Sequence, residues 1–102
     1  MADMTDSAFC RVAKRYAAPV VFREMISAEG LIHGSEKSLA MAEFTEEEQP
    51  IIQQLFGSDS AHMAEAVRMI DEKYNPDGFD INMGCPVYKI ISNFNGAALM
   101  RE

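Results

Sequence analysis

Residues 6–16 show the first clear pattern, because apolar side chains recur there at i, i+3, i+4 and i+7. This spacing predicts a helix with one apolar face, which Thr5 or Asp6 is suited to cap. The apolar face consists of Phe9, Val12, Ala13 and Tyr16. The same spacing returns after Asp59, a good helix cap, and predicts a longer helix that ends at the turn-forming residues 75–78.

Three short apolar runs, over residues 20–22, 50–56 and 79–83, predict strands. Residues 35–42 predict about two turns of helix, within a glycine-containing stretch whose pattern is less clear. A further helix is predicted from residue 95 onward. The predicted order is therefore helix–strand–helix–strand–helix–strand–helix, which is typical of parallel βα units.

The predicted strands begin near residues 19, 50 and 78, so they are 31 and 28 residues apart. A (β/α)8 TIM barrel of roughly 250 residues has about 31 residues per unit. The spacing favours an α/β fold of parallel βα units, a partial barrel of about three of the eight units. A doubly wound sheet is also compatible with this spacing. On the barrel interpretation, residues 1–102 form a single incomplete domain, the amino-terminal part of a catalytic barrel.

The composition narrows the classes of partner. Sixteen acidic and nine basic side chains give a net charge of −7, which argues against nucleic-acid binding through a basic surface of this stretch alone. A hydrophobic content of 48% argues against disorder, and no apolar run approaches the ~18 residues that a membrane span needs. With only Cys10 and Cys85 and no leader pattern, we expect a reduced, cytoplasmic chain with no membrane partner.

The third predicted strand carries the candidate chemistry. Its apolar positions alternate with Asp80 and Asn82, which therefore share one face. Buried polar side chains need hydrogen-bond partners or a ligand, and we expect a structural role for Asp80. Gly84-Cys85-Pro86 breaks the strand at its carboxyl end, where barrel enzymes place their chemistry. The thiol of Cys85 is a catalytic candidate, although a small thiol packed beneath the next loop would have the same position.

Several sequence strings stand in order along the whole chain. They are Met1-Ala-Asp-Met-Thr-Asp-Ser-Ala-Phe9, Phe22-Arg-Glu-Met25, Gln54-Leu-Phe-Gly-Ser-Asp59, Asp80-Ile-Asn-Met-Gly-Cys-Pro86 and Gly96-Ala-Ala-Leu99. Together they resemble the tRNA-dihydrouridine synthases, FMN enzymes with a (β/α)8 catalytic domain. The resemblance implies that reduced FMN delivers a hydride to the β-carbon of a uracil enone in tRNA. A protein acid then protonates the α-carbon to give 5,6-dihydrouridine, and NADPH or NADH reduces the flavin again.

The resemblance also implies site residues. It assigns the acid to Cys85, and a free thiol is largely protonated at neutral pH. It places Gln54 and Asn82 beside the flavin and the catalytic pocket, where a neutral amide donates and accepts without adding charge. The alternative for either amide is that it satisfies backbone groups of an adjacent loop. Met1 and Ala2 match a cofactor-facing loop, where small side chains let the backbone approach the flavin ring.

Four residues depart from the pattern that the resemblance implies; Cys10, where an arginine is common, and Ser60, where a proline is common, look tolerable. Arg23 stands where a small hydroxyl residue is common, and a bulky cation near the barrel interior would disturb the pocket unless it points outward. Ala17 replaces a glycine at the helix end, which removes an easy left-handed cap. The acidic run of residues 46–48 is interpreted as a solvated loop or helix end. His33 and His62 have no partner at a ligand spacing, so we expect no metal site.

The sequence leaves three functions open. The favoured one is the amino-terminal part of a flavin-dependent tRNA-uridine reductase, an oxidoreductase that would be inactive as this piece alone. A second keeps the barrel and FMN but reduces a free pyrimidine or another enone. A third is a non-catalytic α/β chain that self-associates through open sheet edges. A colourless, folded protein larger than one chain would indicate the third function.

Overall fold

Short parallel strands alternate with helices over residues 4–101, the part of the chain that the computed structural model describes. The strands are β1 (Val21–Phe22), β2 (Ile26–Ser27), β3 (Ile51–Phe56) and β4 (Gly78–Ile81). The α-helices are α1 (Ser7–Arg15), α2 (Ala28–Ile32), α3 (Glu36–Ala40), α4 (Ser60–Tyr74) and α5 (Tyr88–Ile91). Glu46–Glu48 and Gly96–Arg101 are 3-10 helices, the second in place of the predicted terminal α-helix.

Strand β3 is the centre of the sheet and pairs in parallel with every other strand. Strands β1 and β2 lie along the same edge of β3, because Val21 pairs with Ile51 near one end and Ile26 pairs with Leu55 near the other. They therefore act as one interrupted strand, and β4 occupies the opposite edge. The three predicted strands and their parallel βα arrangement are confirmed.

The main apolar core lies between the sheet and helices α2 and α4. Its members have almost no solvent exposure, and they include Ile26 and Leu55 from the strands and Leu31, Ala66 and Ile70 from the helices. Alternation along β3 buries Ile51, Gln53 and Leu55 and leaves the residues between them half-buried on the opposite face. The sheet therefore has one face covered by helices and one face available for a site.

Helix α1 has the predicted bounds, but its apolar stripe does not provide its buried face. Phe9 is 54% exposed and Tyr16 is 86% exposed, whereas the neighbouring Cys10 is completely buried. Cys10 packs with Val21 and Ile51 in a second small core. The helix is turned so that this thiol faces the sheet, and Ala13 is the residue of the predicted stripe that packs against the same core.

The side chain of Arg23 makes its contacts away from the face of the sheet that is available for a site. It is 8% exposed, and its Nη1 atom lies 3.3 Å from Oε1 of Glu48, which is completely buried. Its Nη2 atom donates hydrogen bonds to the carbonyl oxygens of Met41 (2.8 Å) and Glu43 (3.0 Å). The arginine thus points outward from the predicted pocket, and it therefore does not disturb a site there.

The prediction that the acidic run is solvated is wrong for Glu48. Besides Arg23, its carboxylate accepts hydrogen bonds from Ser7 Oγ (2.8 Å) and from the backbone N–H of Thr45 (2.7 Å). We refer to Arg23, Glu48, Ser7 and Thr45 as the Arg23 network. Glu47 is exposed and pairs with two residues of α1, Arg11 and Arg15.

Two helices end at residues with a left-handed backbone. Asn75 closes α4 at a φ of 51°, as the predicted turn requires, and Ala17 follows α1 at a φ of 64°. The glycine expected at position 17 would adopt this conformation without the Cβ clash that alanine suffers. In the described range the longest helix, α4, has fifteen residues, and no helix there is long and apolar enough to cross a membrane.

Candidate active site

The carboxyl ends of β3 and β4 bring three polar side chains together. Gln54 and Asp80 are register partners on adjacent parallel strands, so their side chains project from the same face. Asn82 follows β4 and stays attached to the sheet, because its N–H donates to the carbonyl of Leu55 at 2.8 Å. All three polar side chains are half-buried. The alternation of the sequence therefore correctly placed Asp80 and Asn82 together.

Hydrogen bonds connect these side chains in series. Gln54 Nε2 donates to Asp80 Oδ2 at 2.5 Å, and Asn82 Nδ2 donates to Gln54 Oε1 at 3.3 Å. The Asn82 amide also approaches the sulfur of Met25 at 3.2 Å. We call Asp80, Gln54 and Asn82 the amide chain. The Asp80 carboxylate accepts an amide hydrogen bond, the kind of partner that the predicted structural role requires.

Asn82 also holds the beginning of the loop that carries Cys85. Its Oδ1 atom accepts hydrogen bonds from the backbone N–H groups of Gly84 (3.1 Å) and Cys85 (3.0 Å). This is the turn geometry for which asparagine is suited at the end of a strand. The oxygen of Asn82 therefore supports the adjacent loop, and a direct contact of Asn82 with a flavin stays a prediction.

Cys85 is a half-buried free thiol whose backbone is fixed from both sides. After the turn at Asn82, the carbonyl oxygen of Cys85 accepts a hydrogen bond from Ala97 N–H at 3.1 Å. Gly96 makes this approach possible, because it has a φ of 59° and a Cβ there would lie 2.6 Å from that carbonyl oxygen. Gly96 belongs to one of the family-like strings, but this role was not predicted from the sequence, although the glycine identity could have indicated it.

Of the remaining sequence candidates, the described residues include the two histidines. Met1 and Ala2 fall outside the described residues. The imidazole Nδ1 of His62 lies 2.5 Å from Glu29 Oε1, and this hydrogen bond raises the pKa of His62 above its ordinary value. His33 Nδ1 lies 2.7 Å from the carbonyl oxygen of Glu29. Between residues 4 and 101, no three His, Cys, Asp or Glu side chains form a group that could hold a metal ion.

An apolar groove of about 660 Å³ lies beside β4, on the side of the sheet that α4 covers. Apolar side chains of α4 and β4 dominate its lining, including Met63, Val67, Phe79, Ile81 and Met83. Ile81 and Met83 are each about half exposed. Asp80 of the amide chain also lines the groove, whereas Gln54, Asn82 and Cys85 do not, so the groove adjoins the candidate active site at one residue.

Parallel βα units with a polar cluster and a thiol at the carboxyl ends of their strands are typical of a class of α/β proteins that includes the βα barrels. Within this class the chain belongs to the dihydrouridine synthase family, because the model of that family matches residues 1–102. This membership agrees with the resemblance and with the predicted partial barrel.

Individual relatives are similar over nearly the whole chain. The chain is 42% identical over 93 residues to a "Probable tRNA-dihydrouridine synthase" of Aquifex aeolicus, and this match covers 91% of this chain and 29% of the relative. It is 36% identical over 102 residues to a protein of the same name from Treponema pallidum, covering 100% of this chain and 30% of the relative. It is 37% identical over 106 residues to tRNA-dihydrouridine synthase B of Xanthomonas campestris, with the same two coverages. The chain thus spans less than a third of the length of these relatives.

Proposed function

We propose that this chain is the amino-terminal part of an FMN-dependent tRNA-dihydrouridine synthase. The observation that carries the proposal is the position of Cys85, directly after a barrel strand and joined through Asn82 to Gln54. In this proposal residues 1–102 are one incomplete domain, and the parent enzyme reduces uridine in tRNA to 5,6-dihydrouridine. The similarity to relatives that carry this name supports the substrate.

The hydrogen-bonding capacity of the amide chain is compatible with a flavin. Gln54 donates one N–H to Asp80 and accepts one hydrogen bond from Asn82 at Oε1. A second N–H and a second lone pair of its amide therefore remain for a ligand. Asn82 directs both N–H groups and its oxygen to protein atoms. Gln54 is therefore the described residue that would hold the polar edge of FMN, and Met1 and Ala2 would face the same cofactor.

Cys85 would act as the acid. When bound, the reduced FMN supplies the hydride, and NADPH or NADH restores it. The Sγ proton of Cys85 passes to the α-carbon of the uracil enolate, and the resulting thiolate takes a proton from solvent. The two anchors of the Cys85 backbone fix the point from which the thiol projects, and proton transfer to a defined carbon depends on such positioning.

A chimera tests this function. Residues 1–102 replace the matched segment of the Treponema pallidum relative, and dihydrouridine formed in tRNA is measured. Cys85→Ala in the chimera should retain FMN and lose turnover by roughly 10²–10⁴-fold, because the enolate lacks a placed proton donor. Cys10→Ala is the matched control, since this buried thiol lies in the second core and should leave turnover near normal. Near-normal turnover of Cys85→Ala would remove Cys85 from the mechanism.

A further inference from the structure

The amide chain has a defined direction, because both of its ends permit only one hydrogen-bonding role. At one end Asp80 presents a carboxylate oxygen, which accepts, so Gln54 must turn Nε2 toward it. At the other end the partners of Asn82 are the backbone N–H groups of Gly84 and Cys85, which donate, so Asn82 must turn Oδ1 toward them. The central bond from Asn82 Nδ2 to Gln54 Oε1 satisfies both requirements at once.

This direction determines what Gln54 offers to a ligand. An amide without a fixed partner can turn over and exchange its donor for its acceptor. With Nε2 held by Asp80, the remaining N–H lies on the side of Gln54 nearest the carboxylate, and the oxygen lies on the side of Asn82. A ligand therefore meets one arrangement of donor and acceptor instead of two.

From these contacts we propose that Asp80 is a positioning residue for the cofactor and for the acid. It orients the Gln54 amide toward the polar edge of FMN, and through Gln54 and Asn82 it steadies the turn that begins the Cys85 loop. Asp80 itself needs no contact with flavin or uridine. This inference rests on the proposed function, because it assumes that Gln54 faces FMN and that Cys85 is the acid.

A double-mutant cycle on FMN affinity tests the first part. In the chimera, Gln54→Ala and Asp80→Asn should each weaken FMN binding about five- to tenfold, measured by titration of flavin fluorescence. If Asp80 acts through Gln54, Asp80→Asn should weaken binding by less than about twofold in a chain that already carries Gln54→Ala. Effects that multiply in the double variant would overturn the proposal.

The reactivity of Cys85 tests the second part without any cofactor. Asp80→Asn should speed the alkylation of Cys85, followed by peptide mass spectrometry, because asparagine can present an N–H in place of an oxygen and so no longer fixes the direction of the chain that steadies the loop. Asp77→Asn is the matched control, since Asp77 also accepts a hydrogen bond from a glutamine amide, Gln49 Nε2, but at the start of β4. It should change neither FMN affinity nor alkylation. An unchanged alkylation rate in Asp80→Asn would overturn the link to Cys85.

The same chimera separates this inference from the proposed function. Non-additive FMN binding together with an absence of dihydrouridine would overturn the tRNA reductase function and leave the role of Asp80 standing. Normal dihydrouridine formation with multiplying FMN effects would overturn the role of Asp80 alone. An unsubstituted chimera that binds no FMN would overturn the cofactor assignment and with it the orientation of Gln54 toward flavin.

Discussion

Two polar networks lie against this sheet, and they differ in burial and charge. The Arg23 network contains a charged pair with almost no exposure, Arg23 at 8% and Glu48 at 0%; the Glu48 carboxylate is surrounded by protein donors, whereas Nε of Arg23 is buried without a hydrogen-bond partner. The amide chain is half-buried, and Gln54 at its centre keeps hydrogen-bonding capacity for a ligand. The comparison indicates that a buried, charged network organises the fold, whereas a half-buried, mostly neutral one with free hydrogen-bonding capacity suits a site.

The difference also has an energetic side. A buried ion pair must offset the desolvation of both charges, so it contributes little net stability, but removing one partner is strongly unfavourable. The amide chain desolvates one carboxylate only partly. Variants of the Arg23 network should therefore affect unfolding, and variants of the amide chain should affect FMN binding.

The largest change, in both association state and FMN affinity, is expected for the 102-residue chain on its own. The Arg23 network lies wholly within it, but β1–β2 and β4 have open edges, and Phe22 and Ile81 are about half exposed. We expect the isolated chain to self-associate or aggregate, and to bind FMN more weakly than micromolar, because barrels hold a cofactor phosphate with loops after their last strands. Mass in solution and titration with FMN measure both. A stable monomer that binds FMN at micromolar affinity or better would contradict this prediction.

The next largest effect should come from Arg23→Met. It leaves the Glu48 carboxylate buried without its charge partner, so the free energy of unfolding of the chimera should fall by ~3–5 kcal/mol in urea titrations. Adding Glu48→Leu should recover much of this loss, because no unpaired charge then remains. Arg68→Met is the control: its pair with Glu65 is exposed, and the loss should stay below about 1 kcal/mol. If Arg23→Met lowers the free energy of unfolding as little as the control does, the interpretation of the Arg23 network as a buried charged pair that organises the fold is wrong.

The two cysteines should differ in reactivity by a smaller but measurable factor. Burial raises the pKa of the Cys10 thiol, although the neighbouring Arg23 guanidinium opposes the rise. Less thiolate and no access should slow its alkylation, whereas half-buried Cys85 should react first. Time-resolved alkylation of the native chimera should label Cys85 well before Cys10. Equal alkylation rates of the two thiols in the native state would contradict the assignment of Cys10 to the core.

The smallest effect should come from the exposed pair of His62 and Glu29. The hydrogen bond to Glu29 raises the pKa of His62 above its ordinary 6.5 in the folded state. The pair therefore stabilises the fold fully below pH 6.5, and this contribution is lost as the pH rises through the higher folded value. His62→Gln should slightly lower stability below that pH and change nothing well above it. Equal destabilisation at pH 5.5 and pH 9, measured by urea titration, would show that packing and not charge is responsible.

Local periodicity predicted much of the fold. The apolar spacing of α4, its cap at Asp59 and its end at Asn75 were all confirmed, as were the strands β3 and β4. Such features depend on residues within a few positions of each other, so the sequence displays them directly. β2, α2 and α5 are two to five residues long, too short for a repeating pattern to develop.

The sequence by itself determined that Asp80 and Asn82 share a face and that Cys85 follows a strand, because a strand alternates with a fixed period of two. Only the tertiary structure decided that Gln54 lies opposite Asp80, 26 residues away, and that Arg23 pairs with Glu48, 25 residues away. It also turned α1 so that Cys10 and not Phe9 is buried. The register of parallel strands joined by a helix is set by the packing between them, and local sequence contains no record of that packing.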